Sequence, residues 1–401
     1  MGEVLFLAHR APFPPDRGDR IRAYHVVRHL AARHRVHLVA FVDEAGEADH
    51  PDLTAMAASH TLVTRTKSRP RAAVEALASG RSVSVAAFAD AAIARAVARV
   101  LAERPIDAVY VYSSAMAQYL PHGPRPRTVM DFCDVDSVKF GEYARAAGPA
   151  GRWLYAREER LLGAFDRGVA AGADASLFVS AAEAQLFRSI GGTGNIQVVE
   201  NGIDTAFFDP VVAVEEVPAA EPLIVFTGQM DYAPNVAAVS WFANDVLPLI
   251  RARQPTASFA IVGRAPVAEV RALGERPGVT VTGEVADVRG WLKAASVAVA
   301  PLRIARGIQN KVLEAMAMAR PVVATPGAAE GIDHAGTLCV ADSEQAFAQA
   351  VSGLLSDPVR AVTLGRAARA RVQARYGWSA RLAGLDALLG LEDAGEWVRT
   401  G

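Results

Sequence analysis

Thirteen short runs, apolar on both faces and separated by longer helical patterns, recur along this chain of 401 residues. The first seven are 4–9, 35–42, 61–64, 107–113, 127–132, 175–180 and 196–201. Helical stretches such as 20–33 and 152–171 fill the gaps. Strands that are β-branched and apolar on both faces belong in the middle of parallel sheets. Strand–helix alternation then implies right-handed crossovers and an α/β fold. The pattern breaks at 204–222, where three prolines and a group of acids (Asp204, Asp209, Glu215, Glu216 and Glu221) spell a linker. It restarts at 223–228, 258–263, 279–283, 296–301, 321–326 and 338–341, and closes with helices at 343–356, 358–375 and 379–391. The expected organisation is a doubly wound domain over 1–203, completed by 378–401, then the linker, then a second domain over 223–377.

Bulk properties narrow the function. Half the residues are hydrophobic, enough for two cores, and the formal net charge is −1. That balance gives no support to nucleic-acid binding, which needs a basic face. No apolar run is long enough to span a bilayer. The N-terminus lacks a basic region ahead of its apolar run, so it reads as a first strand and not a signal peptide. Two cysteines, Cys133 and Cys339, lack metal-type spacing and suggest a reducing, cytoplasmic setting. Arginine is the default cation, 38 against four lysines, so a single Lys carries more information than a single Arg.

Ligands of open parallel sheets bind outside the carboxyl ends of the strands. In the second half those ends carry Gly228, Asp231 and Asn235 in "GQMDYAPN", then Arg264, then Glu284 and Val285, then 303–311. Glycine there admits a ligand close to the backbone, and a helix N-terminus offers free N–H groups to phosphate. In "PLRIARGIQNKVLEAMAMARPVVATP" (301–326), Lys311 and Glu314 share a helical face. They form either an ordinary surface pair or a site with Lys311 on a phosphate and Glu314 accepting from ribose hydroxyls. Arg303, Gly307, Ile308 and Asn310 complete the candidate donor loop.

These residues carry a resemblance. "VLEAMAMARPVVAT" is similar to the segment holding the second glutamate of the E-x7-E motif of glycosyltransferase family 4. "VVENGIDTAFFDP" (198–210) resembles that family's interdomain signature, and "TGQMDYAPN", "VTGEVADV" and "RYGWSARLAGLDALLG" match as well. "PFPPDRGDRIRAYH", "DFCDVDS" and "RGIQNKVLEAMA" resemble, more narrowly, bacterial sugar transferases of exosortase-linked exopolysaccharide systems. The resemblance implies a GT-B fold of two Rossmann-like domains facing a cleft, with a C-terminal helix crossing back to the first domain. It implies a nucleotide-sugar donor in the second domain, an acceptor on the first, retention of anomeric configuration and no required metal. Arg306 stands where the family has its first glutamate, and the usual Arg and Lys after the first strand of the second domain are missing. We expect Arg303, Arg306 and Lys311 to supply the phosphate-binding cations instead, with Arg306, Lys311 and Glu314 catalytic.

The first half says less. Arg17 and Gly18 lie in a Pro-rich loop ahead of a helix and are acceptor-side candidates, Gly18 suiting a backbone close to the acceptor or the donor phosphate. Arg22, His25, His29 and Arg33 fall on one stripe of that helix, either a solvated face or one facing an anionic membrane. "MDFCDVDS" sets Asp131, Asp134 and Asp136 at a strand end. Mutual repulsion would suit Asp134 for acid–base work; acceptor binding and a cap by Asp136 are the alternatives. Ser113 and Ser114 end another strand and would line the acceptor pocket, and His9 could reach the cleft.

The expected activity is transfer of a sugar from a nucleoside-diphosphate sugar to a glycan or lipid-linked acceptor. The expected site is cytoplasmic, with peripheral contact at the inner membrane as an option. A nucleotide-sugar epimerase, or a binding protein that has lost catalysis, are the other readings.

Overall fold

The computed structural model describes residues 1–15, 18–43, 50–121, 123–218, 221–303 and 308–391. Arg17, Arg306 and Gly307 fall outside them. The chain divides into two compact units, Met1–Asn201 with Arg381–Gly401, and Gly202–Ala380.

All thirteen runs form strands. The first unit holds β1 (Glu3–Ala8), β2 (Arg35–Val42), β3 (Ala57–Thr64), β4 (Ala108–Tyr112), β5 (Arg127–Cys133), β6 (Ala175–Phe178) and β7 (Ile196–Val198). The sheet order is β3-β2-β1-β4-β5-β6-β7, and each pairing is parallel. The second unit holds β8 (Leu223–Thr227), β9 (Ser258–Val262), β10 (Val279–Gly283), β11 (Val297–Ala300), β12 (Val322–Ala324) and β13 (Cys339–Val340). Their order is β10-β9-β8-β11-β12-β13, again parallel throughout. Each sheet runs outward in both directions from its first strand. The order therefore reverses between β1 and β4 and between β8 and β11, and such reversals open a crevice at the carboxyl ends. Val4–Ala8, Ala108–Tyr112, Leu223–Thr227 and Val297–Ala300 are buried along their whole length, as strands covered by helices on both faces must be.

The 204–222 stretch is not a free tether. Asp204 accepts from the N–H groups of Ala206 and Phe207 and closes a turn. Phe208 packs on the second core, and the Arg289 guanidinium lies 3.8 Å from the Phe207 ring centroid. Arg369 pairs with Asp209 at 2.7 Å. The segment is a strap along the second unit, held by arginines that its composition did not identify. The closing helix expected over 379–391 is two short pieces, Trp378–Arg381 and Leu385–Leu388. Gly384, a weak helix former, lies between them, while Leu382, Leu385 and Leu389 stay buried.

The cationic stripe that starts on the helix Gly18–Ala31 does not share one environment; its last member, Arg33, lies past the helix end with a side chain 54% exposed. Arg22 and His25 are buried. Arg22 donates to Asp131 on β5 at 2.7 and 3.2 Å, to the Val199 carbonyl and to Asn201. Tyr110 on β4 donates to the same carboxylate at 2.5 Å. Arg33 and His29 turn instead to Asp386 of the returning C-terminal segment. An arginine can enter a core when every polar edge finds a partner, and this one does.

The test of that network is its asymmetry. Arg22→Leu leaves the Asp131 carboxylate buried and uncompensated, and urea unfolding should show a loss of about 3–5 kcal/mol. Adding Asp131→Asn to Arg22→Leu should restore part of it. A double variant less stable than Arg22→Leu alone would contradict this account.

Candidate functional site

A cleft of about 480 Å³ lies at the carboxyl ends of β8 to β11 in the second unit. Its floor is a close approach of backbones. Gly228 N–H donates to the Val262 carbonyl and Gly263 N–H to the Gly283 carbonyl. Gly263 has φ 149°, and a Cβ there would sit 1.7 Å from the Gly228 oxygen. Only glycine permits that corner. At Gly228 a Cβ would lie 3.2 Å from Lys311 Nζ, so the missing side chain also makes room for the lysine.

The helix Asn310–Ala317 enters from the loop after β11. Its apolar faces carry Val312, Leu313, Ala315 and Met316 into the core. That burial turns Lys311 and Glu314 toward the cleft. Lys311 Nζ donates to Asn235 Oδ1 at 2.5 Å and lies 4.3 Å from the Phe226 ring centroid. Asn235 is fixed in turn by donating to the Gln229 carbonyl at 2.8 Å. Burial lowers the Lys311 ammonium to about 8, against the pull of the Glu314 charge. Glu314 keeps an open edge on the cleft, but the protein around it pushes its carboxyl up to about 7, with Lys311 opposing. The two form no direct ion pair. The helix begins at the cleft, where its first-turn N–H groups and positive dipole end lie beside Lys311.

Of the expected donor residues, Gly228, Asn235, Arg264, Glu284, Val285, Ile308, Asn310, Lys311 and Glu314 line this one cleft. Asp231 and Arg303 do not. Met230 is a buried plug, which leaves Asp231 on the solvent side of its turn. Leu302 is buried, which turns Arg303 outward. Thr227, Gln229, Tyr232, Gly263, Val288 and Gln309 also line the cleft. Gln229 was visible within "TGQMDYAPN" but carried no charge to mark it; its Oε1 accepts from Arg264 at 3.1 Å.

In the first unit the expected acceptor residues are near strand ends but are less gathered. Ser113 ends β4 with φ 72°, and Ser114 opens a 3₁₀ turn. Cys133 ends β5 with φ 63°. Two adjacent strands thus end in a backbone conformation that costs an ordinary residue energy. Asp134 and Asp136 are exposed and clamped by Lys139 at 3.0 and 2.8 Å. Asp136 is the first residue of its helix, whose N-cap is Val135, so it does not cap. Asp131, the third acid of that motif, is core. Gly18 opens its helix with free space around it and normal φ, so glycine is not required there. His9 meets Asp19 at 3.5 Å, and Arg10 pairs with Asp19 and with Asp43. His9 and then Arg10 hold the Asp19 carboxyl far below its ordinary range, against burial. Asp166, in the long helix Pro149–Gly172, is pushed up to about 7 by burial, opposed by a hydrogen bond from Ser114. Mid-helix, it carried no strand-end signal.

No group of His, Cys, Asp and Glu suited to a metal occurs among the described residues. No helix among them is long and apolar enough to cross a membrane.

Comparison with known proteins identifies the family. Residues 221–357, which hold the cleft, match the family model "Glycosyl transferases group 1". A GDP-mannose-dependent alpha-(1-6)-phosphatidylinositol monomannoside mannosyltransferase of Mycobacterium tuberculosis is 30% identical over 312 residues, 67% of this chain and 80% of that one. The chain belongs to the group 1 glycosyltransferases. Sucrose-phosphate synthase of Thermosynechococcus elongatus superposes with TM-score 0.60 at 18% identity, over 97% of this chain and 98% of that one. Anabaena HepE, solved with UDP-glucose, gives 0.56 at 15% identity over 97% and 99%. The glycosyltransferase has the GT-B fold.

Glu314 should cost this enzyme stability. Its folded carboxyl holds a proton up to about pH 7, against 4.5 ordinarily. Its stabilising contribution is therefore fully present below pH 4.5 and gone above 7. Glu314→Gln should remove that slope and gain about 1–3 kcal/mol at pH 8. Urea unfolding of both proteins at pH 4.5 and 8 measures it; an equal difference at the two pH values would count against the buried carboxyl.

Proposed function

We propose that this glycosyltransferase moves a sugar from a nucleoside-diphosphate sugar, bound in the second unit, to a glycan or lipid-linked acceptor held by the first. We further propose that it retains the anomeric configuration and works on the cytoplasmic side in exopolysaccharide or other cell-surface polysaccharide synthesis. The observation that carries the donor reading is Lys311, a desolvated ammonium beside a glycine floor and the start of the helix Asn310–Ala317. The donor diphosphate would sit at Gly228, Lys311 and the first-turn N–H groups of Asn310 and Lys311. The nucleoside would lie along Val285, Val288 and Ile308, with Glu314 accepting from ribose hydroxyls. The acceptor hydroxyl would lie near Ser113, Ser114 and Asp134. The mycobacterial relative makes GDP-mannose the first donor to test, and HepE makes UDP-glucose the second.

Charge builds on the leaving diphosphate as the glycosidic bond breaks. A preorganised cation in a low-dielectric cleft is worth most at that point. Lys311 can serve because Asn235 fixes its position and the diphosphate restores the charge that burial disfavours. In this scheme the lysine supplies the cation, so no metal is required and activity should survive a chelator. Arg306 and Gly307 lie outside the described residues; their loop joins the site by this proposal alone.

Radiolabelled donor, purified enzyme and a lipid extract from the producing cells give the direct assay, with product anomer read by NMR. Lys311→Ala should lower kcat about 100- to 1,000-fold. Because Lys311 titrates near 8 in the free enzyme, nucleoside-diphosphate affinity should fall as pH rises above 8. A Lys311→Ala enzyme with wild-type turnover, or an inverted product, would refute the corresponding part.

A further inference from the structure

A second cavity, about 540 Å³, lies at the opposite edge of the same sheet. It sits at the amino ends of β8, β11 and β12, under the helix Pro358–Arg375 and the strap. The donor cleft is at the carboxyl ends, so the two share no lining residue. The volume falls within the ~300–1,000 Å³ typical of small-ligand sites.

Its walls are apolar and partly uncovered. Leu355 and Pro358 form one side, and Val362 and Val211 stand at the rim, 50% and 85% exposed. Adjacent exposed valines beside a cavity are surface that an apolar ligand would cover. The charged part of the lining is cationic. Arg320, Arg366 and Arg369 contribute, and no acidic residue does among the described residues. Arg369 is already matched by Asp209. Arg320 is not. Its polar partners among the described residues are the carbonyls of Met318 and Ala295, both at 3.2 Å. Burial lowers its guanidinium, the direction expected for a cation given no anion.

The position of Arg320 is built. Ala319 has φ 54°, and a Cβ at Gly365 would sit 2.1 Å from the Ala319 oxygen. The helix Pro358–Arg375 presses on the backbone at 319–320 through that glycine. The result is a half-buried guanidinium at the mouth of an apolar hole.

We propose that this cavity is a second ligand site, taking a single-chain anionic amphiphile. Its alkyl or acyl chain lies against Leu355, Pro358, Val362 and Val211, and its phosphate or carboxylate head meets Arg320 and Arg366. The guanidinium fork matches either head.

Calorimetric titration of the full chain with decyl phosphate, below its micelle concentration, tests this. Decanol and inorganic phosphate are run as separate arms. Decyl phosphate should bind saturably with one equivalent, and each half-molecule at least about tenfold more weakly. Arg320→Met should weaken decyl phosphate about tenfold. Val362→Trp, at an exposed rim position that tolerates bulk, should abolish binding by filling the mouth. Glu314→Ala should leave it unchanged, separating this site from the donor cleft. The proposal is overturned if decyl phosphate does not bind, if either half-molecule matches it, if both cavity variants bind as wild type does, or if Glu314→Ala removes binding.

Discussion

A lysine ammonium withdrawn from water and given no carboxylate partner is the constraint on which the cleft of the second unit depends. Lys311 is held over Phe226 by a single hydrogen bond to Asn235, with Glu314 near but not bonded. Each charge is disfavoured by burial, and neither is neutralised by direct contact. A protein selected for stability alone would fill this place with apolar side chains, because a buried charge costs more than packing returns. Keeping the cost makes sense where an anion arrives to offset it. The surrounding structure serves the same end. Gly228 and Gly263 let the backbones after β8 and β9 close up beside the lysine, and the helix beginning at Asn310 starts at the same cleft.

That arrangement follows from the sheet. Strands buried on both faces have no room for polar chemistry along their length, so function collects where they end. Asp131 tests the rule from the other side. It lies within β5, and the structure makes it a core residue by surrounding it with Arg22 and Tyr110. Three residues on, Asp134 is past the strand end and open to solvent. In one short motif the same residue type serves the core or the surface according to its distance from the edge of the sheet.

The fold was legible because its signal is repeated. Thirteen apolar runs in alternation with helices over-determine a pair of parallel sheets, and an error in one run would not change the answer. The cleft was legible in part for a related reason: several strand-end glycines and one helix pointed to one place. What stayed hidden was direction. Arg22 and Arg33 are alike in the sequence, yet one is buried against Asp131 and the other meets Asp386 from hundreds of residues away. A helical stripe gives the face but not what covers it. Asp231 and Arg303 were placed in the right loops, but buried neighbours, Met230 and Leu302, turn them out. The strap was read as a linker because its acids and prolines look solvated; its partners, Arg289 and Arg369, lie far along the chain.

The arginine-rich composition bears on both edges of the second sheet. Where arginine is the default cation, many guanidinium groups find a carboxylate or a carbonyl, as Arg369 does with Asp209 and the carbonyls of Phe208 and Thr205. The informative positions are those where that satisfaction stops short. At the carboxyl edge the chain departs from its default and uses lysine, whose charge can be tuned by burial where an arginine's cannot. At the amino edge it keeps arginine, and Arg320 lines a cavity with only carbonyls for partners among the described residues. A tunable cation suits a group that must respond to charge developing during a reaction. A permanent one suits a group that only has to hold an anion. Under the two proposals above, the residue type at each edge suits its role: the lysine would serve the reaction and the arginine would anchor an anion.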